Sequence, residues 1–238
     1  FGRENGGQAE LVLVPYADGT LVAMPDAIAH DEAKRDASVT LCDVMATGHH
    51  GVVSAGTAAG STVVVIGDGA VGLCAVLSAA HVVGAERVIA VGHNAKRLEL
   101  ATRFGATHTF NSHDPNVKDE IVELTRGGAP HAVEAVGNDE SLILAVDVAR
   151  PGGTVSFVGV PANVKNPPIR RLFSANIALR GAVAPVRAYL PQLIASLAAG
   201  RIDPTPVLDL ALPLAHVADG YAAMDERRAI KVLLRIAA

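Results

Sequence analysis

The chain has 238 residues, half of them hydrophobic and 18% charged, with a net charge of −4. This balance excludes a disordered chain, and a slightly acidic surface of interspersed signs excludes a nucleic-acid binder, which would be basic. Aromatics make up only 3% and Trp is absent, so the core has to be built from Ala, Val, Leu and Ile.

In chain order, residues 7–15 alternate loosely and stop at Pro15, which predicts a short strand. Residues 17–36 read as loop plus a charged surface segment. Residues 38–55 read as a helix, with Ala46, Gly48, Gly51 and Ala55 small enough to let other groups approach. From residue 61 the pattern is periodic. STVVVIG (61–67) is a β-branched run of the kind found in a parallel strand covered on both faces, and residues 70–85 form an apolar helix. Strand-helix pairs then follow as RVIAVG and 94–105, THTF and 116–126, HAVEAVG and 139–153. The last of these helices is stopped by Pro151-Gly152. TVSFVGVP is a fifth strand and IALRGAV a sixth, with a helix over 189–200. This alternation predicts a Rossmann-type, doubly wound α/β fold with six parallel strands and right-handed crossovers. After Gly200 come a proline-broken extended stretch, a helix over 215–226 and a last strand over 229–236.

The first strand runs into Gly67-x-Gly69-x-x-Gly72. In a strand-turn-helix context this is a dinucleotide fingerprint. Gly67 makes the turn, Gly69 lets backbone approach a pyrophosphate, and Gly72 packs the helix against the strand. The helix N-terminus offers N–H groups to phosphate. A packing turn that binds nothing is the alternative. An NAD site commonly carries an acid about 20 residues further on, at the end of the second strand. Here Gly92 stands there, followed by His93, Asn94, Lys96 and Arg97. With no carboxylate to repel a 2′-phosphate, NADP(H) is favoured over NAD(H). The missing acid also weakens an S-adenosylmethionine reading.

Cys42 and Cys74 read as two buried thiols in a reducing cytosol rather than a pair, and without C-x-x-C a four-cysteine zinc knot is excluded. No apolar stretch is long enough to span a membrane. Asp43, in an apolar stretch of small residues, could cap a helix, pair with a base or bind a metal; capping leads on the residues alone. His49 and His50 are neighbours on a helix, about 100° apart, and would not converge with Asp43 on a metal. His81, His93, His108, His113, His131 and His216 lack metal-like spacing, and Glu134 reads as structural or as a neighbour of the cleft.

The runs GGQAELVLVPYADGTL, DVMATGHHG, VVVIGDGAVGLCAV, RLELATRFGAT, VEAVG, RPGGTVSFVGVP and MDERRAIKVLLRI, in this order, resemble the medium-chain, zinc-dependent alcohol dehydrogenase family. The resemblance implies that Asp43 is the third ligand of a catalytic zinc and that Thr47 packs near the nicotinamide ring. It places Ala70, Val71, Val136, Gly137, Val158, Gly159 and Val160 along the cofactor cleft. Ala182 follows a strand whose backbone faces the nicotinamide, and Lys231 reaches the pyrophosphate. It further implies that residues 1–45 are the end of a GroES-like catalytic domain, 46–185 the nucleotide domain and 186–238 a return to the catalytic domain. The family's other zinc ligands have no counterpart in the chain, which starts at Phe1 and is expected to be the later part of something longer. The implied activity is hydride transfer between NADP(H) and a small alcohol, aldehyde or ketone, with Zn2+ in a complete enzyme only. The chain alone is expected to bind cofactor weakly without turning over alcohol. A zinc-free quinone or enoyl reductase and a non-catalytic nucleotide sensor are the alternatives. A homodimer or homotetramer is expected, with IALRGAV near the edge where subunits could join sheets.

Overall fold

A computed structural model describes residues 6–181 and 183–236. Near the start lie the short helices α1 (Ala17–Thr20) and α2 (Asp26–Ala29), then α3 (Glu32–Leu41) and α4 (Val44–Ser54). The alternating part follows as β1 (Thr62–Ile66), α5 (Ala70–Ser78), β2 (Arg87–Gly92), α6 (Ala95–Arg103), β3 (His108–Asn111), α7 (Val117–Leu124), β4 (Ala129–Glu134), α8 (Asp139–Asp147), β5 (Ala149–Phe157), α9 (Ile169–Ser174) and β6 (Ala178–Gly181). The chain closes with α10 (Val186–Ala198), β7 (Leu210–Pro213), α11 (Val217–Asp225) and β8 (Val232–Arg235).

The sheet order is β3-β2-β1-β4-β5-β6, and every pairing is parallel. Its β-branched strands divide their side chains between two cores at the two-residue period of a pleated strand. Val63 and Val65 join α3, α4, α5, α6 and α10 on one face; Val64 and Ile66 join α7 and α8 on the other. The expected doubly wound architecture is thus present. β7 and β8 form a separate parallel pair, and the Arg235 guanidinium binds both carboxylate oxygens of Asp36 on α3.

The differences from expectation have local causes. Residues 7–15 form no strand: Leu11 and Leu13 are strongly exposed and no strand pairs with them among the described residues. A strand without a partner leaves its backbone groups unpaired. Residues 17–36 are not all loop, since they hold α1, α2 and the start of α3. The helix expected over 38–55 is two helices, broken at Cys42-Asp43, where Asp43 adopts φ −148° and ψ −87°, and at this break Cys42 is exposed rather than buried, while Cys74 is buried as expected. The apolar helix after the glycine turn widens to a π turn over 79–83 before ending at Gly84. α8 ends at Asp147 rather than at Pro151, because Ala149 already pairs with Ala129 and residues 150–153 form an irregularity inside β5.

Candidate functional site

The topology itself opens a crevice. From β1 the chain winds outward through β2 and β3, then returns to lay β4 on the other side of β1. The loops after β1 and β4 leave in opposite directions, and ligands of such sheets bind at this switch point. A cleft of about 560 Å³ lies there, lined by Gly67, Asp68 and Gly69 after β1, Gly92 and His93 at the end of β2, and Ala135 and Val136 after β4. Arg97, His113 and Arg227 also face it.

The glycine turn has the shape its spacing implies. Gly67 has φ +121°, a conformation that L side chains rarely adopt. A Cβ at Gly72 would lie 1.9 Å from the Gly67 carbonyl oxygen, so α5 can enter against the turn only without a side chain there. A Cβ at Gly69 would meet no atom within 4 Å, which leaves this position open to the cleft. Gly69 is the N-cap of α5 and no side chain caps the helix, so its first amides are free to meet an anion.

The end of β2 holds what the sequence did not disclose. The backbone N–H groups of His93 and Asn94 both donate to Asp68 Oδ2, each at 2.8 Å. A Cβ on Gly92 would sit 2.5 Å from Asp68 Cβ. The space of a residue-92 side chain is therefore filled by Asp68, which reaches across from the glycine turn. The carboxylate whose absence favoured NADP(H) is present, supplied by β1's turn. Strand register is the signal that could have found it: Ile66 pairs with Val91, which sets Asp68 level with His93. Two histidines and two arginines surround this point. His93 stacks on His113, Arg227 donates to His93 Nε2 at 2.5 Å, and Arg97 donates to the Ala229 carbonyl at 3.1 Å. Asn94 caps α6, its Oδ1 accepting from the Arg97 amide at 3.2 Å, and is not on the cleft wall.

Across the cleft, Glu134 shapes the loop after β4. It is 1% exposed, and its Oε1 accepts from the Val136 and Gly137 amides at 2.6 and 2.7 Å and from Ser141 Oγ at 2.8 Å. Asn138 and Ser141 close a reciprocal cap on α8. Val136 faces the cleft. Gly137 and Gly159 let two loops touch, since a Cβ on Gly159 would lie 2.4 Å from the Gly137 nitrogen. Val160 is exposed, whereas Val158 packs against the core beside Gly51. Ala70 and Val71 lie on the first turn of α5 and pack partly against the core. Ala182 lies outside the described residues.

A second grouping lies at the start of α4. Asp43 occupies the N-cap position, but its side chain makes no capping bond. Its Oδ2 is 3.7 Å from Lys231 Nζ, and Thr47 Oγ1 is 3.5 Å from its Oδ1. Asp43, Thr47 and Lys231 are thus together, with Lys231 on the carboxylate and off the wall of the cleft. Behind them α4 meets α5 through Gly48, where a Cβ would lie 2.5 Å from the Ala75 nitrogen. His49 Nδ1 lies 2.8 Å from Ser78 Oγ, and His50 Nδ1 lies 2.8 Å from the Tyr189 hydroxyl. Burial, and to a smaller degree His50, pushes the His49 pKa down to about 4. Both histidines are packing groups.

The described residues do not by themselves make a zinc site. No group of three or more His, Cys, Asp or Glu among them could hold a metal ion, and Asp43 is more than half exposed and paired with Lys231. Among the described residues no helix is long and apolar enough to cross a membrane.

Comparison with known proteins agrees with this geometry. The sequence model of the zinc-binding dehydrogenase family matches residues 70–199, more than half of the chain. A probable zinc-binding alcohol dehydrogenase of Mycobacterium tuberculosis is 39% identical over 95% of this chain and 57% of its own length. An NADP-dependent isopropanol dehydrogenase of Thermoanaerobacter brockii is 33% identical over 94% of this chain and 62% of its own. Among solved structures, the alcohol dehydrogenase TADH from Thermus sp. ATN1 superposes with a TM-score of 0.87 at 30% identity, covering 98% of this chain and 66% of that one. The chain therefore spans between a half and two thirds of the length of these relatives. On the fold, the glycine turn at its switch point and these matches, the chain belongs to the medium-chain, zinc-dependent alcohol dehydrogenase family.

Proposed function

We propose that this chain holds a nicotinamide dinucleotide for hydride exchange with a small alcohol or carbonyl compound. The observation that carries the reading is the open glycine turn, which faces the switch-point cleft ahead of an uncapped α5 N-terminus. The pyrophosphate would rest on these amides, and the adenosine end would run toward β2. Binding of this kind fixes the reacting ring, and the hydride chemistry belongs to the cofactor. Zinc-assisted turnover belongs to the same proposal for the whole protein. Asp43 as a ligand rests on resemblance, and no step is routed through it. The division at residues 45 and 185, and a homo-oligomer joined near β6, are likewise proposed. For the oligomer, β6 is a sheet edge, with Val183 exposed just beyond it.

NADP(H) is supported by the absence of an acid at residue 92, by the guanidinium groups of Arg97 and Arg227 on the cleft wall, and by the NADP-dependent relative. One observation favours NAD(H) instead: the Asp68 carboxylate at the same place. Calorimetric titration with NADH and NADPH tests the binding, and alcohol-dependent formation of reduced nicotinamide tests the turnover. The chain alone is expected to bind a dinucleotide and to leave alcohol unoxidised. If neither cofactor binds, the reading fails.

A further inference from the structure

We propose that Asp68 is the residue that meets the adenosine ribose and sets the preference for a free 2′-hydroxyl over a 2′-phosphate. This rests on the dinucleotide reading above and deepens it. Sequence position points away from Asp68: the ribose-binding acid of such folds stands at the end of the second strand. Here that position is Gly92, and the two residues compete for one space, since any Cβ on Gly92 would fall 2.5 to 2.7 Å from the Asp68 Cβ, Cγ and Oδ2 atoms. The carboxyl group is delivered to the end of β2 from the turn after the adjacent strand β1.

It is also held there. Asp68 is 8% exposed, and two backbone amides anchor its Oδ2 at 2.8 Å. Oδ1 accepts no hydrogen bond among the described residues, while Asp68 lines the cleft. A fixed carboxylate with one oxygen anchored and one free suits a ribose hydroxyl, which can donate to it. A 2′-phosphate donates nothing at neutral pH and meets two obstacles. Its charge faces a carboxylate in a partly dry site, and Asp68 already occupies the His93 and Asn94 amides that an anion would otherwise use. The nearby guanidinium groups are partly engaged, Arg97 with the Ala229 carbonyl and Arg227 with His93. They soften the repulsion without supplying the amides.

The test isolates the adenosine end. Binding of AMP and of adenosine 2′,5′-bisphosphate is measured by calorimetry on the wild-type chain, on Asp68→Asn, and on the exchange Asp68→Gly/Gly92→Asp. Far-UV circular dichroism and thermal melting check folding. Asp68→Asn keeps an oxygen for the two amides and removes the charge. It is expected to move the affinity ratio toward the bisphosphate by about tenfold or more. The exchange variant, which puts the carboxylate back from β2, is expected to return the ratio to its wild-type value. A ratio unchanged within about twofold in folded Asp68→Asn, or no binding of either fragment by any of the three proteins, overturns the proposal. Binding of the fragments with the expected shift, but no binding of either NADH or NADPH, would remove the dinucleotide reading and leave the role of Asp68 toward an adenosine ribose standing.

Discussion

Replacing Glu134 tests whether one buried carboxylate organises the far wall of the cleft. Its Oε1 takes hydrogen bonds from two loop amides and from Ser141, at 2.6 to 2.8 Å, in a place 1% exposed. Bonds to a charged acceptor contribute about 1.5–3 kcal/mol each, and an orphaned buried amide costs about 1–3 kcal/mol. Against this stands the cost of keeping a carboxylate out of water, several kcal/mol, which Ala relieves. The Val136 amide can turn to solvent because its residue is 49% exposed, whereas the Gly137 amide bonds Glu134 in a buried place. The balance is a loss of about 3 kcal/mol for Glu134→Ala and about 1 kcal/mol for Glu134→Gln, whose amide oxygen still accepts. Urea unfolding followed by far-UV circular dichroism suits a chain without Trp. Cofactor titration on the same samples should show weaker binding in the Ala variant, because Val136 and Asn138 line the cleft. An Ala variant within about 0.5 kcal/mol of wild type, with unchanged cofactor affinity, would refute the reasoning.

Further outcomes follow from the same geometry. His49 is buried and neutral, with its pKa depressed from 6.5 to about 4, so the unfolded chain binds the extra proton first as pH falls. Its contribution is complete above pH 6.5 and is lost progressively down to pH 4, about 3 kcal/mol in all; His49→Gln should flatten that part of a stability–pH profile. Gly72→Ala sets a Cβ 1.9 Å from the Gly67 carbonyl oxygen, and should cost about 2–4 kcal/mol in urea unfolding together with most of the dinucleotide affinity. Asp43→Asn breaks only a solvent-exposed pair 3.7 Å long, so its unfolding midpoint should move by the equivalent of less than about 1 kcal/mol.

Local pattern was a sound guide wherever an element's partners follow from its own periodicity. The run TVVVI is apolar on both faces and became a central strand, and helices with one apolar stripe packed as that stripe requires. The same reasoning failed at residues 7–15, where the apolar residues suit a strand but no neighbouring strand among the described residues pairs with them. It also overran the break at Cys42-Asp43, which is a matter of backbone angles and not of side-chain pattern.

The site divides along the same line. The amino-acid order by itself determined the parallel sheet, the glycine turn and the helix that begins behind it, because these rest on contacts between near neighbours and on the absence of side chains at Gly67 and Gly72. Only the tertiary structure decided which charges face the β2 end of the cleft. Asp68 and His93 are separated along the chain by an entire helix and strand, and they meet because β1 and β2 pair in the register Ile66 to Val91. A search for an acid at the end of β2 inspects one strand at a time, whereas the carboxylate arrives from the adjacent one.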